Sequence, residues 1–322
     1  MPREFHDHPR KQTVRLRWDT PILEWFYRQW GRKYFYLGLP GQQALDVKLW
    51  KEMIERIIAF EIEVKNETNR RIHVIELARE LTLLGINQAV YCGPMEEVLL
   101  RREDHDRKPL IIDEFVTLFN LDFCNSISSY VYTEAGHRQL RFEALREIVA
   151  FQRTLFRRTG VSRFILLITA RNSFHNSVVR EFFSNRDLPP TIRDFYRSSL
   201  RLRPLSRADI EIDYTDVLKT FVYSFLQSCF HGQNITSLFL PPLTYRGSST
   251  KSPMIHFVVI CKMNNENSVS PTTAQSAADY LRLKTVRATN TRIVEDWRIH
   301  RGEQLICDPV DFVRQFSFFQ EG

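Results

Sequence analysis

The chain has 322 residues, of which 43% are hydrophobic, and a formal net charge of +7. That length buries one large core or two modest ones, and the composition is that of a folded globular protein. No apolar run approaches the roughly 18–20 residues of a membrane span, the first residues lack a hydrophobic signal core, and the five cysteines include no Cys-x-x-Cys pair. A reduced cytoplasmic protein without a disulfide frame or a zinc site is expected.

The isoelectric point near 9.2 is the electrostatic footprint of a nucleic-acid partner, although a mildly basic soluble protein also has it. Basic residues crowd an N-terminal arm (Arg10, Lys11, Arg15, Arg17), residues 153–163 and residues 193–207. In the last cluster Arg197, Arg201, Arg203 and Arg207 follow Phe195 and Tyr196, a pattern suited to RNA or DNA.

After the arm, the apolar aromatic run KYFYLGLPG (33–41) breaks into a Gly-x-x-Gly turn at Gly38 and Gly41. Residues 44–56 follow as a helix with Leu45, Leu49 and Met53 near helical spacing. Residues 57–64 are a short buried strand carrying Glu61 and Glu63 on one face. Strand, glycine turn, helix and acid-ended strand is the order of parts that grips an adenosine-containing cofactor. Residues 66–85 form a second helix with an apolar stripe at Ile72, Ile75, Leu77 or Ala78, Leu81 and Leu84, capped by Gly85. Residues 88–92 make a third strand that runs into Gly93 and Pro94.

A charged loop leads to a fourth strand, 115–122, whose acidic end continues as Phe123, Cys124 and Asn125. Residues 140–158 form an amphipathic helix, and residues 163–169 a fifth strand so hydrophobic that it belongs at the centre of the sheet. Alternating strands and helices imply right-handed βαβ units and a parallel sheet covered on both faces. After a helix at 216–230, the runs 237–245 and 254–262 have no helix between them and should pair antiparallel.

Five parallel strands closed by an antiparallel hairpin resemble the class I S-adenosylmethionine-dependent methyltransferases, over roughly residues 34–262. Tyr36-Leu-Gly-Leu-Pro-Gly41 is similar to that family's first motif, and Glu61 falls where its ribose-binding acid does. The run HVIELARELTLLGI is similar to a helix common in these enzymes. Leu121-Asp-Phe-Cys-Asn125 occupies the place of the fourth motif, without the prolines of the amino-methylating nucleic-acid enzymes. The resemblance implies a three-layer, Rossmann-like α/β fold with a mostly parallel seven-stranded sheet. It implies S-adenosylmethionine as cofactor, held by Gly38, Leu39, Gly41, Glu61, Gly93 and Met95. Asp122, Phe123 and Asn125 would face the methyl acceptor. Pro94 stands where the family often has an adenine-contacting Asp.

Each residue also has a plainer reading. The glycines serve an ordinary strand-to-helix turn, Glu63 competes with Glu61, and Asp122 caps a loop. Cys124 is a small buried hydrophobe rather than a nucleophile, and His175 and His256 are structural hydrogen-bonding groups. The expected organisation is a basic arm (1–33), a methyltransferase-like domain (34–263) with a basic insertion (172–213), and a small C-terminal addition (264–322). The addition ends in an aromatic tail, Phe312 to Phe319, that packs on the body or on a protein partner. A catalytically degenerate binding subunit of a larger assembly is the alternative function.

Overall fold

A computed structural model describes residues 8–62, 72–123, 125–127, 131–133, 136–138, 140–173, 215–246, 253–265, 276–283, 285–295 and 308–316. The arginine cluster at 193–207, Glu63, Cys124, His175 and most of the aromatic tail lie outside the described residues.

One sheet of ten strands organises the described chain. Its first half contains β1 (Tyr34–Gly38), β2 (Ile54–Glu61), β3 (Asn87–Cys92), β4 (Leu118–Asp122) and a later strand, β7 (Arg163–Arg171). These lie in the order β3-β2-β1-β4-β7, every neighbouring pair parallel. Between β4 and β7, β5 (Val131–Thr133) and β6 (Gly136–Arg138) form a separate antiparallel pair. In the second half, β10 (Met254–Met263) lies antiparallel to β7. Both β8 (Ile235–Phe239) and β9 (Leu243–Tyr245) pair antiparallel with β10. The expected hairpin is therefore present, and β7 is central. Five parallel strands followed by an inserted antiparallel one is the strand order of the Rossmann-like methyltransferase fold. The sheet exceeds the expected seven strands because the run 237–245 is divided between β8 and β9, and because β11 (Val286–Ala288) and β12 (Ile293–Glu295) extend the far edge beyond β9.

Strand alternation divides the core into two layers. Phe35, Leu37, Ile58, Phe60, Phe119 and Leu166 face one cluster. It includes α5 (Met95–Arg101), α6 (Leu140–Thr159) and α7 (Thr215–Gly232). Tyr34, Tyr36, Ile57, Ala59, Leu118 and Leu167 face the other. There they meet α3 (Leu45–Trp50), α4 (Ile72–Leu83) and the N-terminal helices. The three-layer arrangement follows directly from the period of two.

The N-terminal segment is not a loose basic arm. It folds as α1 (Pro9–Val14), a π turn (Arg15–Asp19) and α2 (Thr20–Trp30), which ends at Gly31 in the left-handed region with φ 63°. Val14, Trp18, Ile22 and Phe26 recur every four residues and are all buried in the second core layer. The C-terminal helices are α8 (Ala277–Arg282), whose Tyr280 stacks on Tyr223, and α9 (Pro309–Arg314), whose Val313 joins the α1–α4 layer.

Two helix expectations are corrected. The helix after the glycine turn stops at Trp50, and β2 starts at Ile54, three residues earlier than the sequence suggests. The β-branched residues Ile54, Ile57 and Ile58 pair with β1 rather than prolong the helix. Leu49 is consequently 37% exposed, while Val47, Trp50 and Met53 are buried. On α4 the buried residues are Leu77 and Leu81; Ile75, expected in the stripe, is 61% exposed. Gly85 does lie in the left-handed region, at φ 71°, and its N–H reaches the Thr82 carbonyl as a helix-ending glycine should.

Candidate functional site

The sheet's strand order reverses between β1 and β4, so the chain leaves their carboxyl ends in opposite directions, the place where open α/β sheets commonly bind ligands. Gly38 ends β1 opposite Ala59 of β2 and Asn120 of β4. The Leu39 amide donates to the Asn120 carbonyl at 3.0 Å, and Gly41 turns the chain at φ 67°. Glu61 ends β2 opposite Cys92, half-buried, and its carboxylate accepts from the Ile62 amide at 3.0 Å. Asp122 ends β4 opposite Thr169. The topology thus brings Gly38, Leu39, Gly41, Glu61, Gly93 and Asp122 to one edge of the sheet.

Other candidates are placed differently. Met95 is fully buried and Phe123 is 2% exposed, both within the core layer beneath α5 and α6. The Arg141 guanidinium lies over the Phe123 ring, 4.7 Å from its centroid, and is held by Glu96 at 2.9 Å. Asn125 is exposed, and its carbonyl accepts from the Arg171 amide. The loop 102–110 folds back on Gly93. Asp104 accepts from the amides of Cys92, Asp106 and Lys108, and the His105 ring occupies the space that a Cβ at Gly93 would need.

Sequence reasoning missed a buried polar cluster under the N-terminal helices. Lys11 forms an ion pair with Asp122, their side chains 7% and 13% exposed. The Tyr36 hydroxyl donates to Asp46 Oδ2 at 2.9 Å, while the Asn120 amide nitrogen donates to that same oxygen and to the Tyr36 hydroxyl. Burial pushes the Tyr36 hydroxyl well above its usual pKa, and the Asp46 carboxylate beside it adds to the shift. Burial also raises Asp46, against the opposing pull of the Arg15 guanidinium. His256 bridges two buried groups: Nε2 contacts Asp19 Oδ1 and Nδ1 contacts Thr169 Oγ1, each at 2.8 Å. The tautomer protonated on Nε2 satisfies both contacts, and His256 is the structural group its sequence position suggested. The cluster's signal in the sequence is the spacing of Lys11, Arg15 and Asp19, four residues apart along one helix face.

An adenosyl cofactor finds parts of its expected cradle here. Glu61 at the end of β2 and the turn at Gly41 are of the kinds that would suit it. Gly38 and Gly93 are accounted for by the chain itself: a Cβ at Gly38 would lie 2.2 Å from the Asn120 carbonyl oxygen, and one at Gly93 would lie 2.9 Å from the His105 ring. Among the described residues, no group of three or more His, Cys, Asp or Glu side chains is placed to hold a metal ion, and no helix is long and apolar enough to cross a membrane.

No family model matches the chain, and no curated protein matches it. Solved structures do resemble it. An rRNA methylase from Streptococcus thermophilus is 12% identical with a TM-score of 0.34, over 72% of this chain and 89% of that one. The magnesium protoporphyrin IX methyltransferase of Synechocystis, with bound SAH, is 9% identical with a TM-score of 0.36, over 78% and 83%. The small RNA methyltransferase HEN1 is 12% identical with a TM-score of 0.37, over 79% and 26%. Likenesses this distant carry no argument of their own; the strand order and registers carry the fold.

Proposed function

We propose that the chain is an S-adenosylmethionine-dependent methyltransferase-like protein that binds its cofactor at the carboxyl edge of β1, β2 and β3 and methylates a nucleic acid. The observation that carries this is the switch point between β1 and β4, which brings the glycine turn, Glu61 and Asp122 to one edge of the sheet. Glu61 would accept the ribose hydroxyl hydrogens, residues 38–41 would line the methionine end, and Gly93 and Met95 would border the adenine. Asp122, with Phe123 and Asn125 beside it, would orient an acceptor amine. Transfer from a sulfonium to nitrogen needs alignment more than acid–base help, so the chain's task is to hold the two groups in line. The net charge of +7 and the arginines at 197, 201, 203 and 207 favour a polyanionic acceptor.

Specific contacts favour a second reading. Lys11 sits on Asp122, His105 sits against Gly93, and Met95 and Phe123 are core residues. A methyltransferase fold that has lost catalysis would have these features. It would serve as a binding subunit, holding nucleic acid through its basic insertion or a protein through its aromatic C-terminal tail.

Calorimetric titration with S-adenosylmethionine and S-adenosylhomocysteine tests the cofactor site. The proposal expects micromolar binding that Glu61→Ala weakens at least about tenfold, roughly 1.4 kcal/mol. Absence of binding overturns the cofactor assignment. If the cofactor binds but no labelled methyl reaches RNA or DNA, the nucleic-acid methylation reading falls and the binding-subunit reading stands.

A further inference from the structure

We infer that the outer face of α4 is a docking surface for a second copy of this chain, laid antiparallel across a two-fold axis. This goes beyond the cofactor reading and does not depend on it. Three of the seven large hydrophobic side chains exposed among the described residues lie on this one helix: Ile72, Ile75 and Leu83, the last 72% exposed. Exposed apolar residues scattered singly need no explanation, but three on one stripe do. Ile72, Ile75, Arg79 and Leu83 recur at intervals of three and four and so share a face. Leu77 and Leu81 on the opposite face anchor the helix in the core.

The order of residues along the stripe says what covers it. Its ends are apolar and its middle is charged, with Glu76 and Arg79 both exposed beside a groove that runs to the turn before α3. Neither has an ion-pair partner among the described residues, whereas the adjacent Glu80 is taken by Lys48 at 2.5 Å. A two-fold axis crossing the helix midway between Leu77 and Ala78 relates each position to the one equally far on the other side. Ile72 then meets the partner's Leu83, and Leu83 meets the partner's Ile72. The same axis sets Glu76 against the partner's Arg79 and Arg79 against the partner's Glu76, while Ile75 lies beside the partner's Thr82. One operator thus matches the apolar ends and the opposite charges together, as an isologous interface requires. A parallel pairing would set Arg79 against the partner's Arg79. An unrelated protein would not need α4 to complement itself, and that self-complementarity is what points to a second copy. One helix pair is smaller than the roughly 1,200 Å² of a standard interface, so the association is weak and reversible.

Sedimentation of the full chain over a roughly hundredfold range of concentration tests this. The wild type should move from 38.2 kDa toward twice that mass. Arg79→Glu alone sets acids against acids, and Glu76→Arg alone sets bases against bases, so each variant should dissociate at least about tenfold more readily. Both positions are exposed, and an unchanged thermal midpoint confirms that the variants fold. An equimolar mixture of the two variants restores both opposite-charge crossings and should form a heterodimer as tight as the wild-type dimer. A wild type that stays monomeric throughout overturns the inference and leaves the face to a different partner. A dimer indifferent to both reversals uses another surface and overturns it too, as does a mixture that fails to recover association.

Discussion

A methyl group at Gly38 would sit 2.2 Å from the Asn120 carbonyl oxygen, which belongs to the neighbouring strand's backbone and cannot swing away. Gly38 therefore lets β1 and β4 approach at the switch point. Gly38→Ala should cost about 3 kcal/mol, the upper end of overpacking, and should be seen as a lower denaturant midpoint even without ligand. A stability unchanged within about 0.5 kcal/mol would show that the strands can part there and that the glycine serves a ligand instead. Gly93 combines a φ of 129° with the His105 ring 2.9 Å from an added Cβ. Its strain is in the backbone, since the ring is the movable end of a side chain. Tyr36 stands two residues before Gly38 and has its hydroxyl engaged by Asp46 and Asn120. The site's floor is a hydrogen-bonded phenol and a buried acid, both shifted upward by burial.

At the scale of elements, the decisive unit is the N-terminal segment, residues 9–30, which joins α1, the π turn and α2. Its apolar residues bury Trp18, Ile22 and Phe26, and one polar contact, Asp19 with His256, ties it to β10. Asp19 and His256 are 5% and 2% exposed, so removing the imidazole leaves a carboxylate in a nearly dry site. Leaving a buried group without its hydrogen-bond donor costs about 1–3 kcal/mol, and more when it is charged. His256→Ala should therefore speed amide hydrogen exchange over residues 9–30 well before it does so in β4 or β7. Uniform loss of protection would mean that the segment is not a separable unit. This segment was also the least legible part of the sequence. Its basic residues, counted as charges, read as an arm, whereas Lys11 and Arg15 are buried beside acids that lie far away along the chain. The parallel strands were legible because burial on both faces leaves runs rich in Ile, Leu and Phe in β2, β4 and β7. Residues 44–56 misled because helical spacing of Leu45, Leu49 and Met53 coexists with β-branched residues, and pairing with β1 decides between them only in three dimensions. Glu61 and Asp122 could be placed at strand ends because strand ends can be read from composition. Asp46, Asn120 and Thr169 were not, because each matters through a partner on another element.

For the molecule as a whole, one buried amine ties C-terminal residues to the body in a way that depends on pH. Lys219 on α7 reaches under α8, donating to the Leu281 carbonyl at 2.9 Å and to that of Leu283, with Tyr280 beside it. Burial lowers its pKa from 10.5 to about 8. Between those values the unfolded chain binds more protons at this group than the folded one, so its contribution to stability rises with pH from about 8 to 10.5; below about 8 the burial penalty is present in full. Other groups oppose it. Cys229 and Cys261 are raised above 9.0, and Tyr34, Tyr36 and Tyr280 are raised above 10.0, all by burial first. The folded state holds those protons longer, and stability falls once the unfolded thiols and phenols ionise. Absolute stability should therefore peak near the point where the two trends cross. The Lys219 part is isolated by difference. Relative to wild type, Lys219→Met should lose ground steadily as denaturation midpoints are measured from pH 7.5 to pH 10. A constant difference would mean that the amine keeps its proton through this range, bound by the two carbonyls that end α8, and that burial does not govern it.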